Sequence, residues 1–350
     1  MSKNILVTGG AGFIGSHLVD GLIDKGHKVT ILDDLSGGLE TNINQEAKFV
    51  KGSITNRDLV ENIIQDTNIV YHLAAYAAEG LSHYVRTYNY MNNLIGSVNL
   101  INAAVKHNIE RFVFTSSMAI YGSGNPPFDE KDTPHPEDPY GLAKVTVEND
   151  LRIAKEMFGL DFVIIRPHNF YGERQFLGDP YRNVIGIWMN RIMQNKSPLI
   201  YGNGEQTRAF SYVKDAIPSL IQAGFKKETR GEIINLGSSS TNAITLNELA
   251  DKVLRAMDSE LKPTHVSQRH EVKHAYSTTK KSEELLDFKD DTSLVDGLAK
   301  MASWAKTVGP MDPIIWETYE LTKGLPDFWV NLAQDYPDAK KRINVLFDKP

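Results

Sequence analysis

Tyr140 and Lys144, in the run Tyr140-Gly141-Leu142-Ala143-Lys144, have the types and spacing to move a proton. Residues four apart lie on one face of a helix, so a phenol and an amine would meet there. A phenol titrating near ~10 is a poor base at neutral pH. A neighbouring ammonium stabilises the phenolate and makes it a usable one. A hydroxyl able to bond a reacting oxygen stands upstream, where the apolar run 111–115 is followed by Ser116 and Ser117. By itself such a Tyr/Lys pair recurs by chance on surface helices.

The pair gains meaning from a stretch near the start of the chain, Asn4-Ile5-Leu6-Val7-Thr8-Gly9-Gly10-Ala11-Gly12-Phe13-Ile14-Gly15. An apolar run gives way to Gly9, Gly12 and Gly15, and helical periodicity starts at Ser16. Strand, glycine turn and helix form the setting in which a pyrophosphate approaches backbone N–H groups at a helix N-terminus. A Cβ at the turn would block that approach. The spacing is GxxGxxG, not the commoner GxGxxG. Asp33 ends the next apolar run. An acidic residue there suits the adenosine ribose hydroxyls and repels the 2′-phosphate of NADP, so the cofactor implied is NAD. Its cationic nicotinamide ring would join Lys144 in lowering the Tyr140 pKa, and Lys144 can also hold the nicotinamide ribose.

These residues need a scaffold. Strand patterns at 5–7, 28–32, 47–51, 69–73, 111–115 and 162–166 alternate with helical ones at 16–25, 57–65, 88–107 and 140–158. The strands are apolar throughout, as in a parallel sheet covered on both faces. The expected fold class is α/β: a Rossmann-type doubly wound parallel sheet with a smaller α/β C-terminal substrate domain. Residues 1–170 would form the NAD-binding domain, with segments near 205–240 returning to it, and 171–350 mainly the substrate domain. In that second part a helix is expected near 183–194, a short strand at 210–213, a helix from Asp215, a strand at 232–236 and a capped helix at 245–257. The tail 310–350 carries Trp316, Tyr319, Phe328, Trp329 and Tyr336, and reads as a pair of short helices packed on the body.

Composition narrows the function classes. In 350 residues, 41% are hydrophobic and 23% charged, an ordinary globular balance that can bury a sizeable core. The net charge of −6 argues against a nucleic-acid surface. No apolar run approaches a membrane span, and no signal peptide pattern is present. The absence of cysteine removes disulfides and thiolate chemistry and fits a reducing, cytoplasmic setting. The histidines show no mutual ligand spacing, so no metal site is expected.

The order of glycine turn, Asp33, His72-Leu73-Ala74-Ala75, Ser117, Tyr121-Gly122, Tyr140/Lys144, Arg166-Pro167-His168-Asn169, the run Gly202 to Arg208, and Asp296-Gly297-Leu298 resembles the extended short-chain dehydrogenase/reductase family. Within it, the chain is similar to nucleotide-sugar epimerases of the UDP-glucose 4-epimerase type, over about residues 3–305. The resemblance implies that Gly9, Gly12, Phe13, Ile14, Gly15, Asp33, Ser53, Ile54, Leu73, Ala74, Ala75 and Asn93 surround NAD, together with Tyr140 and Lys144. It implies that Ser117 bonds the reacting oxygen and that Asn169, Arg208 and Arg269 grip the substrate diphosphate. His168 would line the sugar pocket or move a proton. Ala275, or Tyr276 if the local gap falls differently, would gate sugar size. The implied reaction is 4-epimerisation of a UDP-sugar through a transient 4-keto sugar, by a homodimer. Ser117 is followed by Met118 and Ala119, which cannot move a proton, so dehydration and decarboxylation are disfavoured. A net 4-ketosugar reductase and a non-catalytic dinucleotide sensor are the alternatives.

Overall fold

The computed structural model describes residues 2–342. Along the first half run β1 (Asn4–Thr8), α1 (Phe13–Asp24), β2 (Lys28–Asp33), β3 (Lys48–Lys51), α2 (Arg57–Ile64) and β4 (Ile69–His72). A loop carrying the one-turn helix α3 (Glu79–Ser82) follows. Then α4 (Arg86–Tyr90), a π-helical turn (Met91–Ile95) and α5 (Gly96–Lys106) run on as one helix towards β5 (Arg111–Thr115). The long helix α6 (Pro139–Phe158) precedes β6 (Phe162–Pro167).

The second half holds β7 (Phe170–Tyr171), α7 (Val184–Met193), β8 (Leu199–Tyr201), β9 (Thr207–Arg208), β10 (Ser211–Tyr212), α8 (Val213–Ala223) and β11 (Ile233–Leu236). After it come β12 (Ile244–Thr245), α9 (Leu246–Ala256), β13 (Thr264–Val266), β14 (His274–Ala275), α10 (Lys280–Leu286) and α11 (Leu294–Val308). The chain closes with β15 (Ile314–Trp316), α12 (Asp327–Asp335) and β16 (Lys340–Arg342).

Seven strands form one parallel sheet in the order β11-β6-β5-β4-β1-β2-β3. Strand pleating sends alternate side chains to opposite faces. Ile5 and Val7 therefore enter one core layer with Leu18 and Leu22 of α1 and Leu220 of α8. Leu6 enters the other, with Val60 of α2, Leu100 of α5 and Leu151 of α6. The six strands expected from the first half are all present, each within a residue of its expected ends. β11 pairs with β6, and α8 packs on α1, so residues 213–236 join the sheet.

Caps fix the helix starts. The Asp138 side chain accepts from the Gly141 N–H at 2.8 Å, Pro139 opens α6, and Gly159 ends it in the left-handed conformation. Thr245 and Glu248 form a capping box at α9. A third core, built on Trp188, Met189, Leu249, Val253 and Met301, holds α7, α9 and α11 together.

The tail departs from expectation. Over the described part of 310–350 there is one helix, α12, and a parallel pair of strands, β15 and β16, where two helices were anticipated. Ile314 and Ile315 are adjacent β-branched residues, which favour strand over helix. Trp316, Trp329 and Leu332 pack on Tyr76, Leu81 and Val85 of the loop after β4.

Candidate active site

Two hollows open at the C-terminal ends of the sheet strands, where open α/β sheets bind ligands. The first, about 230 Å³, is lined by Gly9, Gly12, Phe13, Ile14, Gly15, Asp33, Ser53, Ile54, Leu73, Ala74 and Ala75, and reaches Tyr140 and Lys144. All thirteen are among the residues that the family resemblance implied would surround NAD. Two glycines are required on close approach. Gly9 sits at φ +73°, and a Cβ there would lie 2.8 Å from the Ala74 nitrogen. A Cβ on Gly15 would lie 2.1 Å from the Gly9 oxygen.

This hollow fits a dinucleotide. The N-terminus of α1 has no side-chain cap and no acid in its first turn, which leaves its N–H groups available to a pyrophosphate. The Asp33 carboxylate is held by the Ala11 N–H at 3.0 Å and the Leu35 N–H at 2.8 Å. Burial raises its pKa from the usual carboxylate range. Thr115 Oγ1, also in the lining, is buried without a partner among the described residues. Asn93 is placed differently from expectation: it does not line the hollow. It is buried in the π-helical turn, accepts the Tyr76 N–H at 2.8 Å and donates to the Tyr76 carbonyl at 3.1 Å and to Asn89. Its polar atoms hold the wall of the hollow from behind.

Ser117, Tyr140 and Lys144 come together beneath that wall. Asp138 starts α6 so that Tyr140 and Lys144 share its buried face, and Lys144 Nζ lies 5.7 Å from the Tyr140 ring centroid. Nζ donates to the Thr115 carbonyl at 2.8 Å, which ties α6 to the end of β5. The Ser117 hydroxyl accepts the Ala119 N–H at 3.0 Å and acts on the Tyr140 phenol, opposing the rise of its pKa. Burial pushes Lys144 down to about 7. The phenol of Tyr140 is raised, first by burial and then by the Glu79 carboxylate. The protein's own groups therefore hold Tyr140 as a phenol, contrary to the lowering expected from Lys144. Behind the trio, Glu148 of α6 pairs with Arg166 of β6 at 2.7 Å and accepts from Ser116 Oγ at 2.5 Å. Arg166 also donates to Tyr121 at 2.7 Å, and Tyr121 donates to Asn235 at 2.8 Å.

The second hollow, about 250 Å³, shares Ala77, Arg182 and Asn183 with the first. Asn169, Arg208 and Arg269 line it, as expected. Arg208 donates to the carbonyls of Thr207, Val272 and Lys273. Arg269 stacks over Tyr201, 4.3 Å from the ring centroid, and pairs with Glu271 at 3.2 Å. Its Nε is buried with no partner among the described residues. Asn169, at φ +28°, donates to the Ala209 carbonyl at 2.9 Å.

Besides Asn93 and Ser117, three expected residues line neither hollow. His168 lines neither hollow: its ring is fully buried, Nδ1 lies 3.1 Å from Ser277 Oγ, and burial pushes it down to about 3. It is neither a pocket wall nor a base. Ala275 lines neither hollow because the pairing of β14 with β9 packs it with Met118, Ile120, Tyr121 and Phe128. Tyr276 lines neither hollow as well. Conversely, Arg182 and Glu79 were not anticipated. Arg182 lies in an aperiodic loop and leaves no pattern, whereas Glu79 is a lone charge in the run Ala74 to Leu81 and could have been noticed.

Comparison with known proteins bears on the same site. Residues 5–237 match the model of the NAD dependent epimerase/dehydratase family. The UDP-glucose 4-epimerase of Thermotoga maritima, solved with UDP-glucose, is 33% identical, with a TM-score of 0.81 over 87% of this chain and 99% of that one. The UDP-N-acetylglucosamine 4-epimerase of Methanobrevibacter ruminantium, in complex with UDP-N-acetylmuramic acid, is 33% identical, with a TM-score of 0.82 over 88% and 99%. The UDP-glucuronic acid 4-epimerase of Bacillus cereus, with UDP-glucuronic acid and NAD, is 27% identical, with a TM-score of 0.80 over 87% and 99%. On the family match and the glycine turn, parallel sheet and Ser/Tyr/Lys trio that it spans, the chain belongs to the NAD-dependent epimerase/dehydratase family.

Proposed function

We propose that this protein is an NAD-dependent nucleotide-sugar 4-epimerase acting on a UDP-sugar. The observation that carries the reading is Tyr140 and Lys144 together in the lining of the first hollow, with Ser117 acting on the Tyr140 phenol from behind it and the second hollow adjoining at Ala77, Arg182 and Asn183. Tyr140 takes the proton of the sugar 4-hydroxyl at its phenol oxygen and later returns one. Ser117 bonds the same sugar oxygen, sharing the proton that moves. Lys144, anchored on the Thr115 carbonyl, fixes the position of the phenol and stabilises its anion when protonated. Bound NAD supplies reversible hydride acceptance at C4 through a 4-keto sugar, and a cationic ring that favours the phenolate.

Arg208, Arg269 and Asn169 would hold the diphosphate. A guanidinium fork suits phosphate oxygens, and the unpartnered Nε of Arg269 offers a free donor. Met118 and Ala119 add no second acid or base beside Ser117, which favours epimerisation over elimination. The reading includes a cytoplasmic homodimer. The absence of cysteine supports the compartment, and an apolar face on α6 supports the dimer.

Tyr140→Phe tests the assignment. The variant keeps its cofactor, read by absorbance after denaturation, and loses about 10²- to 10⁴-fold in turnover of UDP-glucose. Turnover at the parent rate would remove Tyr140 from the chemistry.

A further inference from the structure

We propose that Glu79 sets the charge of the sugar this site accepts, admitting uncharged hydroxyl-bearing hexoses and rejecting those that carry a C6 carboxylate. The inference rests on the nucleotide-sugar reading above and names its substrate class.

Position supports it first. The one-turn helix α3 is fastened at one end to the proton-moving residue: Ser82 Oγ accepts the Tyr140 N–H at 3.2 Å. At its other end it lies against the diphosphate side, since a Cβ on Gly80 would stand 3.9 Å from Arg269 Nη1. Glu79 thus lies between Tyr140 and Arg269, beside the path a sugar must occupy. Its side chain is exposed within the hollow it lines, and it makes no hydrogen bond or ion pair of its own among the described residues.

Charge supports it second. The nearby cations each face another carboxylate. Arg269 pairs with Glu271 at 3.2 Å, Arg208 approaches the same carboxylate at 3.9 Å, and Arg182 donates to Asp179 at 2.9 Å. Asp138, also in the lining, adds a second carboxylate near Glu79. A sugar hydroxyl brought here finds an acceptor with free lone pairs. A sugar carboxylate finds like charge in the site, which disfavours its binding. Enclosure first, and then Asp138, raises the Glu79 pKa to about 7, so the repelling charge is complete only above that value and the binding comparison is made at about pH 8.5.

The test compares UDP-glucose with UDP-glucuronate by calorimetry on the purified holoenzyme and on Glu79→Gln, with Glu79→Val as a second variant that removes polarity as well as charge. The parent binds UDP-glucose at least about tenfold more tightly, and both variants narrow that ratio by about tenfold or more. Equal binding by the parent, or an unchanged ratio in a folded variant, overturns the proposal. Interconversion of UDP-glucose and UDP-galactose is measured on the same samples. Its absence, together with that of the N-acetylated pair, while the binding preference is intact would sink the epimerase reading alone, and interconversion without the preference would sink the role of Glu79 alone.

Discussion

His168 follows Pro167 at the end of β6, beside Asn169, which does line the substrate hollow. One residue of difference along the chain leaves the imidazole in a sealed site beside Ser277, because β6 ends at Pro167 and the backbone turns at Asn169, whose φ is +28°. Spacing brings out Tyr140 and Lys144 because their relation is local, four residues along one helix. It cannot find Arg182, whose neighbours are distant in sequence, and it marks Glu79 only as a lone charge in its run. The burial of His168 has a consequence for stability. Its folded pKa, about 3, lies below the unfolded value near ~6.5, so the unfolded chain binds more protons between them. The contribution is complete above that unfolded value and is lost as pH falls towards the folded one. Relative to His168→Gln, the parent loses about 2 kcal/mol of unfolding free energy between pH 7 and pH 5, measured by urea denaturation. A difference independent of pH would mean that the imidazole reaches water.

At the scale of elements, α6 does two things at once. Its buried face presents Tyr140, Lys144 and Glu148 to the sheet. Its outer face leaves Leu142, Ile153 and Met157 exposed, at 46%, 56% and 69%, too much apolar surface on one stripe for a lone helix in water. Ile95, at the π-helical turn beside α6, extends the patch. We propose that the dimer forms through these helices. Replacing Ile153 and Met157 with lysine puts like charges across a twofold contact, and sedimentation at micromolar concentration should shift from the mass of two chains to that of one. A parent that sediments as one chain would contradict the dimer. The central strands were legible because each is a short apolar run bounded by turn residues. The π-helical turn was not, since nothing in Met91 to Ile95 departs from ordinary helical pattern. Nor was the β15–β16 pair, whose partner strands are separated by α12 and whose pairing depends on contacts with Tyr76 and Tyr181.

Across the whole molecule, the parallel sheet sets the two hollows side by side, and the tail closes over their junction. Arg342 reaches the Ser36 carbonyl beside the first hollow and lies 4.9 Å from the Tyr76 ring centroid. Arg269, in the second hollow, lies 5.8 Å from the Trp329 ring centroid. One wall, at Ala77, Arg182 and Asn183, therefore serves both ligands. That arrangement suits chemistry in which the cofactor is used and restored without leaving. The central claim is tested most directly by giving the purified protein UDP-glucose or UDP-N-acetylglucosamine with no added cofactor, and following the sugar by proton NMR and the nicotinamide by absorbance. The account predicts that at least one of them is converted to its C4 epimer over many turnovers, with no accumulation of reduced nicotinamide. Oxidation or reduction of the sugar in step with nicotinamide, without formation of the epimer, would contradict it.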